Sequence, residues 1–263
     1  MPTSAPAAPP IVLCFAASDP TSGAGLQADL LTLAALGCHP LSVLTALTAQ
    51  DTTGVARMQP VDCAWITEQA RCVLSDVAVA AFNTGVLGSA DNTRAVSEII
   101  AAQRGVPLVV DPVLASGRGD TLADDSAVRA LRESLLPLTT VLTPNSLEAR
   151  RLAGVQDLRE CARALVQRGC RYVLITGTHE GGGDVVNTLY DASGAVREDR
   201  WPRLPHEYHG SGCTLASAIA AYLARGLDAV AAVREAQQFT WHALEAGFAA
   251  GRGQLLPRRF FAQ

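Results

Sequence analysis

One stretch of the sequence, HGSGCT at residues 209–214, places a thiol directly after a glycine turn and before an alanine-rich apolar run. Gly210, Ser211 and Gly212 let the backbone turn its N–H groups inward, and a helix starting behind them presents its positive end. That is an anion site built without side chains, and phosphate fits it. A thiol in the first turn of such a helix has its thiolate stabilised, by up to ~2 kcal/mol in favourable geometry. Beside a bound phosphate, Cys213 as thiolate can take the proton of an attacking alcohol. Two other readings stay open. Cys213 is a buried small residue at a helix start, or it is a nucleophile paired with His209. The second pairing is poor, because His209 lies on the same short loop and a Cys-His hydrolase places its imidazole independently.

Other chemistry-bearing turns follow apolar runs. ASDPTSGAGLQADL, residues 17–30, contains Gly23-x-Gly25-x-x-Ala28, a loose dinucleotide fingerprint. It equally describes a tight strand-to-helix turn with Ser22 as N-cap, or a glycine turn that lets a small flat ligand approach the backbone. The acidic residue that a nicotinamide site wants about 20 residues later is not in place, since Gln50-Asp51 lies too far on. Gln50 ends LSVLTALTAQ, and its amide offers donors and an acceptor to the edge of an aminopyrimidine or pyridine ring, or to turn backbone. In VVDPVLASGRGD, residues 109–120, Asp111 stands where a carboxylate can hold a metal or its waters. The segment after it reads as a lid, with Arg118 able to meet a phosphate. In LTPNSLEAR, residues 142–150, Asn145 and Glu148 have capping-box spacing, which does not stop Glu148 from ordering Mg²⁺ water near a phosphate.

The elements that must carry these turns alternate. Strand-like runs are expected at 11–17, 41–49, 77–82, 106–110, 140–142 and 172–175. Helical periodicity is expected at 22–36, 64–74, 92–103, 125–135, 147–152, 158–168, 214–225 and 228–246. Residues 185–190 and 195–201, joined by DASG, read as a β-hairpin. Repeated β-α units with near-continuous apolar strands predict an α/β fold: three layers around a mostly parallel sheet, ligands beyond the carboxyl ends of the strands. No linker divides the chain, so residues 11–263 are expected to form one domain after a disordered tail at 1–10.

Composition narrows the chemistry. With a net charge of -4, no basic face invites nucleic acid. No apolar run is long enough for a membrane span, and the first ten residues lack the features of a signal peptide. A cytoplasmic protein is expected. The chain contains no lysine: all 21 basic residues are arginine. That excludes a Walker P-loop and a Schiff-base enzyme. The seven cysteines form no C-x-x-C pair, which argues against disulfides and zinc.

Together SDPTSGAGLQADL, TALTAQDTTGV, VDPVLASG, TPNSLEA and HGSGCTLASAIAA resemble, in order and spacing, the hydroxymethylpyrimidine/phosphomethylpyrimidine kinases of thiamine biosynthesis, a branch of the ribokinase-like fold. The resemblance runs over nearly the whole chain. It implies ATP-dependent phosphorylation of 4-amino-5-hydroxymethyl-2-methylpyrimidine and then of its monophosphate. It implies Cys213 as base where most ribokinase-like enzymes have aspartate, and Gly210, Ser211 and Gly212 as the anion hole. It implies that Gln50, Asp19, Gly25, Val86 and Val113 bind the pyrimidine, and that Asn145, Glu148, Thr176 and Arg118 serve ATP and its phosphates. Asp111 and Glu148 would hold Mg²⁺ through water, and a homodimer is implied. Family members often carry lysines in the lid and after the strand ending LITGTHEGG; here Ala115-Ser116-Gly117-Arg118 and Thr176 stand there. Positive help for phosphates must then come from Arg118, Mg²⁺ and backbone N–H groups. The rivals are a pyridoxal kinase of the same fold, a dinucleotide-dependent oxidoreductase, and a non-catalytic regulator or sugar-binding module. Pyridoxal-accepting relatives use a second cysteine in the lid, which this chain lacks.

Overall fold

The architecture follows from how the first strand divides its side chains. The computed structural model describes residues 8–115, 119 and 122–260. Strand β1 (Ile11–Ser18) is buried along almost its whole length. Leu13 and Phe15 enter one apolar cluster, while Val12, Cys14 and Ala16 enter another. Because successive strand side chains point to opposite faces, the two clusters are the two faces of one sheet.

That sheet has nine strands in the order β3-β2-β1-β4-β5-β6-β7-β8-β9. They are β1, β2 (His39–Asp51), β3 (Gly54–Pro60), β4 (Ala81–Thr84), β5 (Leu108–Val110), β6 (Val141–Leu142), β7 (Tyr172–Ile175), β8 (Asp184–Asp191) and β9 (Gly194–Pro202). From β2 through β7 the neighbours pair parallel. The β2–β3 pair and the β7–β8–β9 meander are antiparallel. The expected mostly parallel sheet with helices on both faces is therefore observed.

The helices are α1 (Gly25–Ala35), α2 (Cys63–Asp76), α3 (Ala90–Ala101), α4 (Asp125–Ala130), α5 (Ser146–Ala153), α6 (Leu158–Gln167), α7 (Ser211–Ala224) and α8 (Ala229–Glu245). Residues of α2 to α6 join Phe15 in the first cluster, and residues of α1, α7 and α8 join Cys14 in the second. Helix α7 is buried almost all round and lined by Ala216, Ser217, Ala218, Ala220 and Ala221. Small side chains let it pack closely against both α1 and α8. None of these helices is long and apolar enough to cross a membrane.

Three expectations are corrected, and one element is added. Residues 54–60, given no element from the sequence, are an edge strand. The strand expected at 77–82 is β4 at 81–84. The helix expected at 125–135 is α4 followed by a π-helical turn, Leu131–Leu135. Ser22 does not cap α1: it lies in the left-handed region (φ 60), and Ala24 is the N-cap, with no side-chain cap bond. The Ser22 hydroxyl cannot serve because the helix starts at Gly25, three residues on.

Phe15 and Phe82 pack against each other at the middle of the sheet, ring centroids 6.3 Å apart, both fully buried. Phe15→Ala should cost about 3–5 kcal/mol of unfolding free energy in a denaturant titration. A loss below about 1 kcal/mol would contradict this packing.

Candidate active site

The turns singled out in the sequence leave the sheet along one edge. Asp19 follows β1, Gln50 ends β2, Val86 follows β4, Asp111 follows β5, Asn145 follows β6 and Thr176 follows β7. All six lie at carboxyl ends of strands, where an α/β sheet binds ligands. The N-terminus of α7 meets the same edge, because Gly210 and Gly23 touch there.

That contact needs two glycines. Gly210 has φ 83, and a Cβ on it would lie 1.8 Å from the Gly23 carbonyl oxygen. Gly25 has φ 59, and its Cβ would lie 2.4 Å from the Ala17 carbonyl oxygen. Only glycine permits both the positive φ and the approach. The two turns therefore stack backbone to backbone, and the Gly25 turn comes up against the turn that carries Cys213. The dinucleotide reading of this loop falls away, since its glycines are taken up by packing against α7.

Cys213 sits in the first turn of α7, as expected, but not as a thiolate. Burial pushes its pKa well above the ordinary value, and the charges of Asp111 and Asp29 add to this. The Gly25 amide and the Arg259 charge act the other way and are outweighed. In the ligand-free protein Cys213 is therefore held as a thiol, with Asp111 as its acidic neighbour. The helix dipole alone does not outweigh burial of the thiol together with two acidic neighbours.

Asp111 is buried at 6% exposure and comes close to Gly212: a Cβ there would stand 3.3 Å from Asp111 Oδ2. Glu148 is buried as well, and both of its oxygens accept from backbone. The Leu114 N–H lies 3.3 Å from Oε1 and the Asn145 N–H 3.0 Å from Oε2. The second bond belongs to a full capping box, because Asn145 Oδ1 accepts from the N–H groups of Leu147 and Glu148 at 3.0 Å each. Burial raises the pKa of both carboxyls, and Asp111 raises Glu148 further. Among the described residues no cluster of three His, Cys, Asp or Glu side chains is arranged to hold a metal. Two buried carboxylates in want of positive charge nevertheless suit Mg²⁺, which keeps several waters and takes one or two carboxylates plus phosphate oxygens.

A second group forms around Asp19, which is 2% exposed. Its carboxylate accepts from Thr21 N–H (2.8 Å), Thr21 Oγ1 (2.8 and 2.9 Å), Ala24 N–H (2.7 Å) and His209 Nε2 (2.8 Å). The Gln50 side-chain nitrogen stands 3.5 Å from His209 Nε2. Burial alone would raise the Asp19 pKa; these donors hold it well below the carboxylate range. Asp19, expected at the pyrimidine, binds the glycine turn and His209. Sequence alone discounts His209, because its partner lies 190 residues away along the chain. Its position just before Gly210 is the available signal.

Val86 and Val113 line one small void of about 40 Å³ together with Asp111 and Thr84. Thr176 pairs with Asn145 through backbone: the Thr176 N–H donates to Pro144 O at 3.0 Å, and the Ser146 N–H donates to Thr176 O at 3.1 Å. Asp111 and Glu148 thus join the Cys213 group to these two. Arg118 and Ser116 lie outside the described residues. Arg150 and Arg203, near the loop after β7, are already engaged. Arg150 pairs with Glu180 at 2.8 Å, and Arg203 donates to the carbonyls of Thr178, Glu180 and Gly182.

The chain matches the model of the phosphomethylpyrimidine kinase family over residues 19–257. It belongs to that family. A hydroxymethylpyrimidine/phosphomethylpyrimidine kinase of Streptomyces coelicolor is 44% identical over 94% of this chain and 93% of its own. One from Synechococcus elongatus is 41% identical over 93% and 95%. A solved phosphomethylpyrimidine kinase of Clostridium difficile superposes with a TM-score of 0.77 at 32% identity, covering 88% of this chain and 97% of that one. The pyridoxal kinase of Staphylococcus aureus, solved with AMP-PCP and pyridoxal, reaches a TM-score of 0.87 at 29% identity over 96% and 94%. The pyridoxal kinases share the fold. The names of the curated relatives carry the other substrate, and the chain is a phosphotransferase of the hydroxymethylpyrimidine kind.

The carboxyls predict a pH dependence. Folding raises Asp111 to about 7 and Glu148 to about 8. Between the ordinary carboxylate range and those values the folded state holds more protons than the unfolded one, so stability falls as pH rises. The Tm of metal-free and nucleotide-free protein should drop from about pH 5 to about pH 8, and drop less in Asp111→Asn. A Tm that is flat or rising over that range in the wild type would mean both groups ionise freely.

Proposed function

We propose that this chain moves the terminal phosphoryl group of ATP onto the hydroxymethyl group of 4-amino-5-hydroxymethyl-2-methylpyrimidine, and then onto the phosphate of that product, at the turn 210–213. The observation that carries the reading is the place of Cys213. It stands behind Gly210-Ser211-Gly212 in the first turn of α7, where Gly210 packs on the 23–25 turn and Gly212 lies beside the Asp111 carboxyl.

Phosphoryl transfer is mostly positioning and charge neutralisation. The N–H groups at the mouth of α7 face the migrating phosphoryl, and their geometry is set in advance by the stacking of the two glycine turns. Asp111 and Glu148 would hold Mg²⁺ through water, with Asn145 and Thr176 beside the nucleotide phosphates. Bound Mg²⁺ supplies positive charge against the two carboxylates and the phosphate oxygens. With Asp111 neutralised, one of the two acidic neighbours that disfavour the sulfur anion is removed, while the helix mouth and Arg259 favour it. Cys213 then takes the proton of the hydroxymethyl oxygen. Gln50, beside His209, would read the aminopyrimidine edge, and Val86 and Val113 would pack on the ring. The reading includes a cytoplasmic homodimer, as the family resemblance implies.

In the second reaction the acceptor is a phosphate, largely ionised near neutral pH, and needs a base less. Cys213→Ala should therefore slow the first step by about 10²–10⁴-fold and the second by less. ATP-dependent conversion of the pyrimidine, followed by mass to mono- and diphosphate, reads both steps at once. Equal losses would remove Cys213 as base. No product with the wild type would remove the reading.

A further inference from the structure

One buried cation in the site is assigned no role by the motifs. Arg259 is 5% exposed, and its guanidinium spans both glycine turns. Nη1 donates to Ser22 O at 3.2 Å, Nη2 to Gly23 O, and Nε to Thr214 Oγ1 at 3.1 Å. Ser22 and Gly23 belong to the turn that carries the Gly25 amide; Thr214 directly follows Cys213. The side chain is therefore a clamp across the contact on which the sulfur's surroundings depend. Its charge also faces Cys213, Asp29 and Asp19.

The segment that delivers it is tied down at every step. The Gln254 N–H donates to Thr52 O (3.0 Å) at the β2–β3 turn. The Leu255 N–H donates to Glu207 O (3.0 Å), and Leu255 O accepts from the His209 N–H (2.9 Å). Leu256 exchanges backbone bonds with Phe248 at 2.9 and 3.0 Å, and the Arg258 N–H donates to Ala243 O (2.9 Å) near the end of α8. Residues 254–259 thus form a strap from the Gln50 hairpin, past His209, to the mouth of α7.

We propose that Arg259 is a positioning residue for phosphoryl transfer, holding the 22–25 turn and the 210–214 turn in fixed register through the strap. A planar guanidinium suits this role because it directs donors along fixed lines to two carbonyls and a hydroxyl, which an ammonium cannot do from one point. The inference deepens the proposed reading of the 210–213 turn and rests on it.

A register clamp acts on the reacting geometry more than on ground-state binding. Arg259→Ala should lower kcat at least 10-fold for both phosphorylation steps, with KM for ATP and for the pyrimidine within about 3-fold. Arg259→Lys keeps charge but loses the fork, and should lose kcat in the same way at wild-type Tm. Guanidinium ion should restore part of the Arg259→Ala rate, and tetramethylammonium should not. If Arg259→Ala does not accumulate folded, Arg259→Lys decides by the same split. A folded Arg259→Ala or Arg259→Lys with kcat within about 2-fold of wild type overturns the proposal, as does a loss confined to Tm. Cys213→Ala in parallel separates the two claims. Lost activity there beside a normal Arg259 variant sinks the clamp alone, whereas full activity in Cys213→Ala sinks the reading of the turn.

Discussion

Two stretches of backbone touch where side chains would forbid it, and the site is arranged around that contact. Gly210 packs on the Gly23 carbonyl, and Gly25 folds back on the Ala17 carbonyl, each at positive φ. An added methyl at Gly210 would fall well inside the oxygen, so no rotamer or small shift accommodates it. The approach brings the 23–25 turn against the turn that carries Cys213. It also fixes the mouth of α7 relative to β1, and so relative to Asp19, His209 and Gln50. Preorganised donors gain their value from not having to reorganise as charge develops, and here rigidity comes from glycine, the residue with most freedom to lose.

The electrostatics follow from the same crowding. Asp29 and Asp111 are buried beside Cys213 and Glu148 is buried beside Asp111, and burial raises the pKa of each carboxyl. Asp29 is pushed up to about 8, against the hydrogen bond that it accepts from Ser217 Oγ at 2.5 Å. Such a cluster cannot carry three negative charges in a dry site. Without ligands it holds protons, and Cys213 keeps its own. In the proposed reaction a cation and a nucleotide would offset this negative charge.

Much of this is legible in the sequence, and the failures have physical causes. Strand β1 announces itself because both faces are buried and its residues are all apolar or small. The capping box at Asn145 and Glu148 is legible because it is local, closed within one turn of helix. Strand β3 escapes notice because it is an edge: Arg57 and Gln59 are exposed, and only the β2 side demands pairing. The Gly23 loop matches a dinucleotide fingerprint because that pattern encodes a tight strand-to-helix turn, whatever then approaches it. The thiolate expectation fails because a helix dipole is visible in sequence, whereas Asp29 and Asp111 reach Cys213 only through the fold. Asp19 with His209 and Arg259 with Gly23 are contacts across nearly the whole chain, and no period or spacing announces them.

The missing lysines can be understood in the same terms. A lysine near a phosphate site is a mobile point charge, strongly hydrated and easily neutralised when buried. This chain instead combines backbone amides, which cannot be deprotonated away, with a guanidinium that tolerates burial. Arg150 and Arg203 are not available for that duty, since they brace the loop after β7. Arg259 differs from them in where it is held: its donors end on the turns that surround Cys213, not on the periphery. Its charge faces Cys213, where Asp111 and Asp29 act in the opposite sense. The C-terminal segment and the first glycine turn, at opposite ends of the sequence, therefore act as one unit, and a change in either should be felt at the sulfur between them.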